Sequence, residues 1–167
     1  MAWKVAVQHK HGPVCLVLTR QKLGYIDRMK FASADGVAQG GYVLADADGG
    51  APDVVLMSSG SEIGLVMSAR EKLAESGVKA RVVSLASHEL FALQSQAYRD
   101  AVLPAGIPRV SIEAAHSMSW YRWVGSNGVV IGIDRYGASA PFETIYKELG
   151  LTVEKVVEAA LGLVKRD

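Results

Sequence analysis

Apolar and polar positions change their period along this chain, and the change falls near Pro52. Beyond it, short β-branched runs alternate with longer segments of helical repeat, the pattern of a parallel sheet flanked by helices. Positions 53–57 predict a strand. Ser59 and Glu62 then stand at capping-box spacing, and Ile63, Val66, Met67, Arg70, Leu73 and Ala74 recur at three and four residues. One amphipathic helix follows, with Gly77 as its left-handed stop. Positions 81–85 predict the next strand, which makes 53–85 a βαβ unit of right-handed crossover.

The same alternation predicts a helix over 94–103 ended by Pro104, a strand over 109–113, a short aromatic helix over 117–124 and a strand over 129–134. Pro141 suits the first position of a helix that ends before Gly150. Thr152 can cap the last helix, whose Val153, Val156, Val157, Ala160, Leu161 and Val164 form one apolar stripe. Positions 42–44 add an edge strand, with a turn-rich exit over 46–52. The first forty residues differ: 2–9 is a helix fragment, 13–18 a strand, and 24–39 a polar stretch without period. One helix and one strand make no core. This beginning therefore reads as the tail of another domain plus a linker, joined to a compact domain over 40–167.

Composition narrows the class. The chain has 167 residues, half of them hydrophobic and 21% charged, enough apolar material for a chain of this size to bury around 70% of its unfolded surface. Disorder is excluded as the main state. Eighteen Lys and Arg face 17 Asp and Glu, a net charge of +1 without a basic run, so no field favours nucleic acid or an anionic membrane. No apolar run approaches the ~20 residues of a membrane span. The apolar start is too short for a signal peptide, and Thr19-Arg20-Gln21-Lys22 replaces a cleavage site. The one cysteine, Cys15, cannot form an internal disulfide and lies within an apolar run as a buried thiol would. A reducing, cytoplasmic setting fits.

Candidate chemistry is sparse. Gly60 and Gly64 bracket a strand-to-helix turn but lack the third glycine of a dinucleotide fingerprint, and Glu62 would repel an anion, so a plain helix start is the better reading. His9, His11, His88 and His116 show no zinc spacing. Ser58 and Ser61 sit outside any nucleophile elbow. Arg20 directly follows the apolar run 14–18, at what would be a strand's carboxyl end. A guanidinium there could grip phosphate or carboxylate through paired hydrogen bonds, or be an ordinary surface arginine. The segment Asp134-Arg135-Tyr136-Gly137-Ala138-Ser139-Ala140-Pro141 packs an ion pair, a glycine turn and a helix start, which suits either a structured loop or an interface loop. Trp120, Tyr121 and Trp123 suit either a contact surface or a core helix.

Several short motifs, in order, carry a resemblance. Ala2-Trp3-Lys4, Thr19-Arg20-Gln21, Gly40-Gly41-Tyr42-Val43-Leu44, Gly60-Ser61-Glu62, Lys79-Ala80-Arg81-Val82-Val83-Ser84, Tyr98-Arg99, Val102-Leu103-Pro104 and positions 134–141 together resemble the C-terminal end of the transketolase family. These are thiamine-diphosphate enzymes that transfer a two-carbon ketol unit between sugar phosphates in the pentose phosphate pathway. The resemblance implies a three-layer α/β/α domain over 40–167 on a five-stranded mixed, mostly parallel sheet. It implies that 1–23 is the last helix and strand of a preceding pyrimidine-binding domain, with 24–39 as linker.

It further implies that Arg20, at the arginine of the family's S-R-Q motif, contacts the substrate phosphate, with Thr19 in place of serine. No catalytic, cofactor-binding or metal-binding residue falls in this segment: thiamine diphosphate and Mg²⁺ belong to the intact enzyme, and the isolated chain would be inactive. The implied partners are the remaining transketolase domains, phosphorylated sugars and a second copy in a homodimer. Ala86 stands where a proline is common, and Ser58-Ser59 where Ala-Thr is usual, which bears on loop shape alone. The other reading is a subunit-interaction module, of a split transketolase or of another thiamine-diphosphate enzyme of the pyruvate dehydrogenase beta type.

Overall fold

The computed structural model describes residues 1–164, so positions 165–167 of the expected domain lie outside the described residues. Five strands form one sheet: β1 (Gly41–Ala45), β2 (Val54–Ser58), β3 (Ala80–Leu85), β4 (Arg109–Ile112) and β5 (Val129–Ile131), in the order β1-β3-β2-β4-β5. β1 runs antiparallel to β3 and the other neighbours are parallel. The central β2 is apolar at four consecutive positions because both of its faces are covered.

Side chains alternate across a strand, so one run supplies two cores. Val54, Leu56, Val82, Val110 and Ile112 point to one face, against Ile63, Val66, Ala69 and Leu73 of α2 (Ile63–Glu75) and Val156 and Ala160 of α7 (Val153–Val164). Val55, Met57, Val83 and Leu85 point to the other. There they meet Phe91 of α3 (His88–Ala92), Val102 of α4 (Gln96–Val102), and Trp120, Trp123 and Val124 of α5 (Met118–Val124). The result is the α/β/α sandwich with a mixed five-stranded sheet that the resemblance implied. α6 (Phe142–Glu148) lies beyond the carboxyl end of β5, and its Tyr146 packs onto the first core. α1 (Ala2–Gln8) buries no residue and rests against the 3-10 turn Ala34–Gln39.

Several sequence expectations change. Positions 13–18 form no strand, and Val17 stays 95% exposed, since none of the five strands pairs with them and an apolar run alone cannot satisfy backbone groups. Cys15 is exposed for the same reason, not buried. The capping box fails: the Ser59 side chain makes no cap bond and Glu62 is buried. The helix expected from 94 starts at Gln96, where Ser95 Oγ accepts from Tyr98 N at 3.2 Å. α3, with Ser87 capping Leu90 N at 3.2 Å, had no sequence signal strong enough to separate it from loop. The strand expected to reach 134 ends at Ile131, and Pro141 caps α6 instead of opening it.

Trp120 and Trp123 are core residues, while Tyr121 on the same helix faces solvent. The glycine before β1 has a steric cause: Gly40 adopts φ +79°, and a Cβ there would stand 2.3 Å from Phe91 N.

Candidate functional site

Strand order fixes where an open α/β sheet can hold a ligand. From β2 the chain crosses through α2 to β3 on one side, then returns past β2 to β4 on the other. Connections diverge there, leaving a crevice at the carboxyl ends of β2 and β4. Ser58 Oγ ties the two ends by donating to Ile112 O at 2.8 Å.

Two carboxyls occupy this point. Glu113, the residue after β4, accepts from Ser59 N at 3.1 Å and Ser59 Oγ at 2.9 Å through one oxygen. Glu62, 2% exposed, accepts from Ser61 Oγ at 2.7 Å and from the Tyr146 hydroxyl. Burial, followed by the neighbouring Glu62 charge, pushes Glu113 up to about 7. Two like charges cannot both be desolvated cheaply, so Glu113 retains a proton under conditions where an exposed glutamate has lost it. Burial, reinforced by the bond to Glu62, pushes Tyr146 up to about 12, which keeps the phenol protonated as donor.

The N-terminal segment reaches this network. Gln21 Nε2 donates to the Tyr146 hydroxyl oxygen at 3.5 Å, a long contact, and the Thr19 hydroxyl donates to Gln21 Oε1. Arg20 lies between them, exposed, and no hydrogen bond among the described residues uses its guanidinium. The fold thus brings Thr19-Arg20-Gln21 beside the Gly60-Ser61-Glu62 turn, which lies about 40 residues further on in the sequence.

Other candidates disperse. Gly60 has φ +47°, but the turn it opens is filled by the Glu62 carboxyl and offers an anion nothing. His88 is half-buried, its ring 4.8 Å from Trp120, and burial holds it below its ordinary value. His116 and Asp134 are exposed, and Asp134 does not pair with Arg135 as the sequence suggested. It accepts from Ser117 N at 2.9 Å and Ser117 Oγ at 2.8 Å, which holds its carboxyl low. Those two bonds fold the 134–141 segment's start back over α5.

A surface hollow of about 460 Å³ lies at the opposite, amino-terminal end of the sheet, beside Lys30, Asp46, Asp48 and Arg70. Both of its carboxylates are already paired: Arg70 reaches Asp48 at 2.9 Å and Arg81 reaches Asp46 at 2.7 Å. Among the described residues no three His, Cys, Asp or Glu side chains converge as a metal requires. In the sequence Glu62 reads as a helix cap and as a charge that would repel an anion, and Glu113 and Tyr146 carry no motif. The available signal was an acid ending the apolar strand Val110-Ser111-Ile112.

An α/β/α sandwich with its crevice at a strand-order reversal defines the class: an open-sheet domain of the doubly wound kind. Within that class, the chain belongs to the Transketolase-like TK C-terminal domain family, whose profile matches residues 40–152. It is 43% identical over 161 residues to the transketolase of Aquifex aeolicus, covering 96% of this chain and 23% of that protein. The solved transketolase of Leishmania mexicana superposes with a TM-score of 0.90 at 39% identity, covering 99% of this chain and 23% of that one. A Pichia stipitis transketolase in complex with sedoheptulose-7-phosphate superposes at 0.87 with 34% identity, covering 98% and 23%. The chain therefore spans about a quarter of the length of the relatives it matches.

Proposed function

We propose that this chain is the C-terminal part of a transketolase that moves a two-carbon ketol unit between sugar phosphates, and that its own contribution is to hold the substrate phosphate through Arg20. The observation that carries this is that Arg20 stands on an exposed bend whose neighbour Gln21 reaches the Tyr146–Glu62 pair, and that no hydrogen bond among the described residues uses its guanidinium. A planar guanidinium meets two phosphate oxygens at once. The complex of the Pichia stipitis relative with a sugar phosphate supports the same substrate class.

Thiamine diphosphate with Mg²⁺ supplies the carbanion chemistry of such an enzyme when bound. That group is assigned here to the rest of the enzyme, since the chain spans about a quarter of the length of the relatives it matches. The remaining domains are the first partners, and a homodimer in the cytoplasm is the working assembly. No helix among the described residues is long and apolar enough to cross a membrane. Positions 1–23 are assigned to the end of the pyrimidine-binding domain and 40–167 to the C-terminal domain, with 24–39 a connection that packs partly on the first core through Ile26, Phe31 and Val37; the lack of any buried residue in α1 and over 13–18 supports this division.

Arg20→Ala in the whole enzyme tests the reading. A charge-assisted contact is worth roughly 1.5–3 kcal/mol, so KM for phosphorylated sugars should rise about 10- to 100-fold, with little change for unphosphorylated ones. Arg20→Lys should recover part of the loss. Equal effects on both substrate types would show that Arg20 acts structurally.

A further inference from the structure

A side chain that must aim at a ligand from a strandless segment needs something to hold its backbone. Arg20 belongs to residues 9–25, which contain no helix or strand and are largely exposed. At Gln21 the segment becomes partly buried, and there three hydrogen bonds run in one consistent direction. The Thr19 hydroxyl donates to Gln21 Oε1, Gln21 Nε2 donates to the Tyr146 oxygen, and the Tyr146 hydroxyl donates to Glu62.

The direction is fixed at both ends. Glu62 faces Tyr146 as an acceptor, so the phenol proton is committed to it and only phenol lone pairs remain for Gln21. Thr19 occupies the amide oxygen of Gln21, which turns the amide nitrogen toward Tyr146. Thr19 and Gln21 are thereby clasped across Arg20. The far end of the chain of bonds rests on a buried carboxylate in the sheet crevice. Ser61 Oγ donates to the same oxygen, Glu62 Oε1, at 2.7 Å.

We infer that Tyr146 is a positioning residue: anchored on Glu62, it holds Gln21 and so fixes the bend from which Arg20 projects. Tyr146 sits on α6, 125 residues beyond Gln21, so the C-terminal domain sets the aim of an arginine that precedes it. The value of that aim for catalysis rests on the reading of Arg20 as the phosphate contact; the clasp itself does not.

Backbone ¹⁵N heteronuclear NOEs on the 167-residue chain test the clasp directly. In the unsubstituted chain, the amides of Thr19, Arg20 and Gln21 should be clearly more ordered than those of residues 10–17, though less rigid than those of β2. Tyr146→Phe and Gln21→Ala should each drop them to the level of a free tail, with β2, β4 and α6 unchanged. Gln21→Ala leaves the Tyr146–Glu62 contact in place, so it decides alone if Tyr146→Phe disturbs the fold. Free-tail values in the unsubstituted chain, or rigid values in the Gln21→Ala variant, overturn the proposal.

In the whole enzyme, Tyr146→Phe should raise KM for phosphorylated sugars about 3- to 10-fold at constant kcat, and leave unphosphorylated substrates unaffected. An equal rise for both overturns the positioning role. If Arg20→Ala shows no phosphate selectivity while the NOEs fall as expected, the clasp stands and the phosphate assignment of Arg20 falls.

Discussion

Glu113, the residue after β4, is an acid that its part-buried position cannot fully hydrate, and its proton gives the protein a pH signature. Its value of about 7 in the folded chain lies above the ordinary 4.5. The folded state therefore holds this proton more tightly than the unfolded state does. Stability from this group is fully present below 4.5 and is lost as pH rises through about 7. Glu113→Gln, which mimics the protonated form, should raise the thermal midpoint only slightly at pH 5, just above the unfolded value of 4.5. At pH 8 it should add about 1–3 kcal/mol, or several degrees for a chain of this size. His88 acts with the opposite sign: burial holds it below 6.5, so its contribution is present above that value and lost as pH falls. Thermal melts of both proteins across pH 5–8 isolate Glu113 by difference. An unaltered slope in the variant would assign the pH dependence to another group.

At the scale of elements, the chain divides into parts that bury surface and parts that do not. β2 and α2 lie at the centre, whereas α1 buries no residue and Val14, Val17 and Leu18 are exposed. Deleting residues 1–23 removes little packing beyond one long hydrogen bond from Gln21, so the urea midpoint should shift by less than about 1 kcal/mol equivalent. The same deletion should reduce self-association measured by light scattering, because an apolar segment with unpaired backbone groups invites pairing with another chain. A collapse of cooperative unfolding on deletion would move the domain boundary to include this segment. Residues 26–37 are a different matter: Ile26, Phe31 and Val37 pack on the first core, so the stretch that looks like a linker in sequence is partly built into the domain.

For the whole molecule, the matched relatives are about four times as long as this chain. Ketol transfer should be absent from the 167-residue chain, and calorimetric titration with thiamine diphosphate and Mg²⁺ should give no saturable heat. Micromolar binding would place cofactor ligands in this segment after all. Tyr146→Phe and Arg20→Ala are accordingly to be read in the assembled enzyme for turnover and in the chain itself for order.

How much was legible in the sequence follows from how local each cause is. The βαβ unit 53–85, the final amphipathic helix and the Gly77 stop were readable because period, glycine conformation and β-branching act within a few residues. Arg20 and the Gly60-Ser61-Glu62 turn were readable as motifs. Their adjacency was not, since strand order and the β1 reversal depend on which faces find partners. The capping box over 59–62 failed because Glu113 took both the Ser59 N–H and the Ser59 hydroxyl, while the half-buried Tyr146 phenol from α6 took Glu62. The strand at 13–18 failed because apolar periodicity supplies a tendency and only a neighbouring strand supplies the hydrogen bonds. Sequence by itself determined the elements and the residue types available for chemistry. Tertiary structure decided which carboxyls meet, which one keeps a proton and that Gln21 reaches Tyr146, since burial and contact between distant positions exist only once the sheet has closed its two faces.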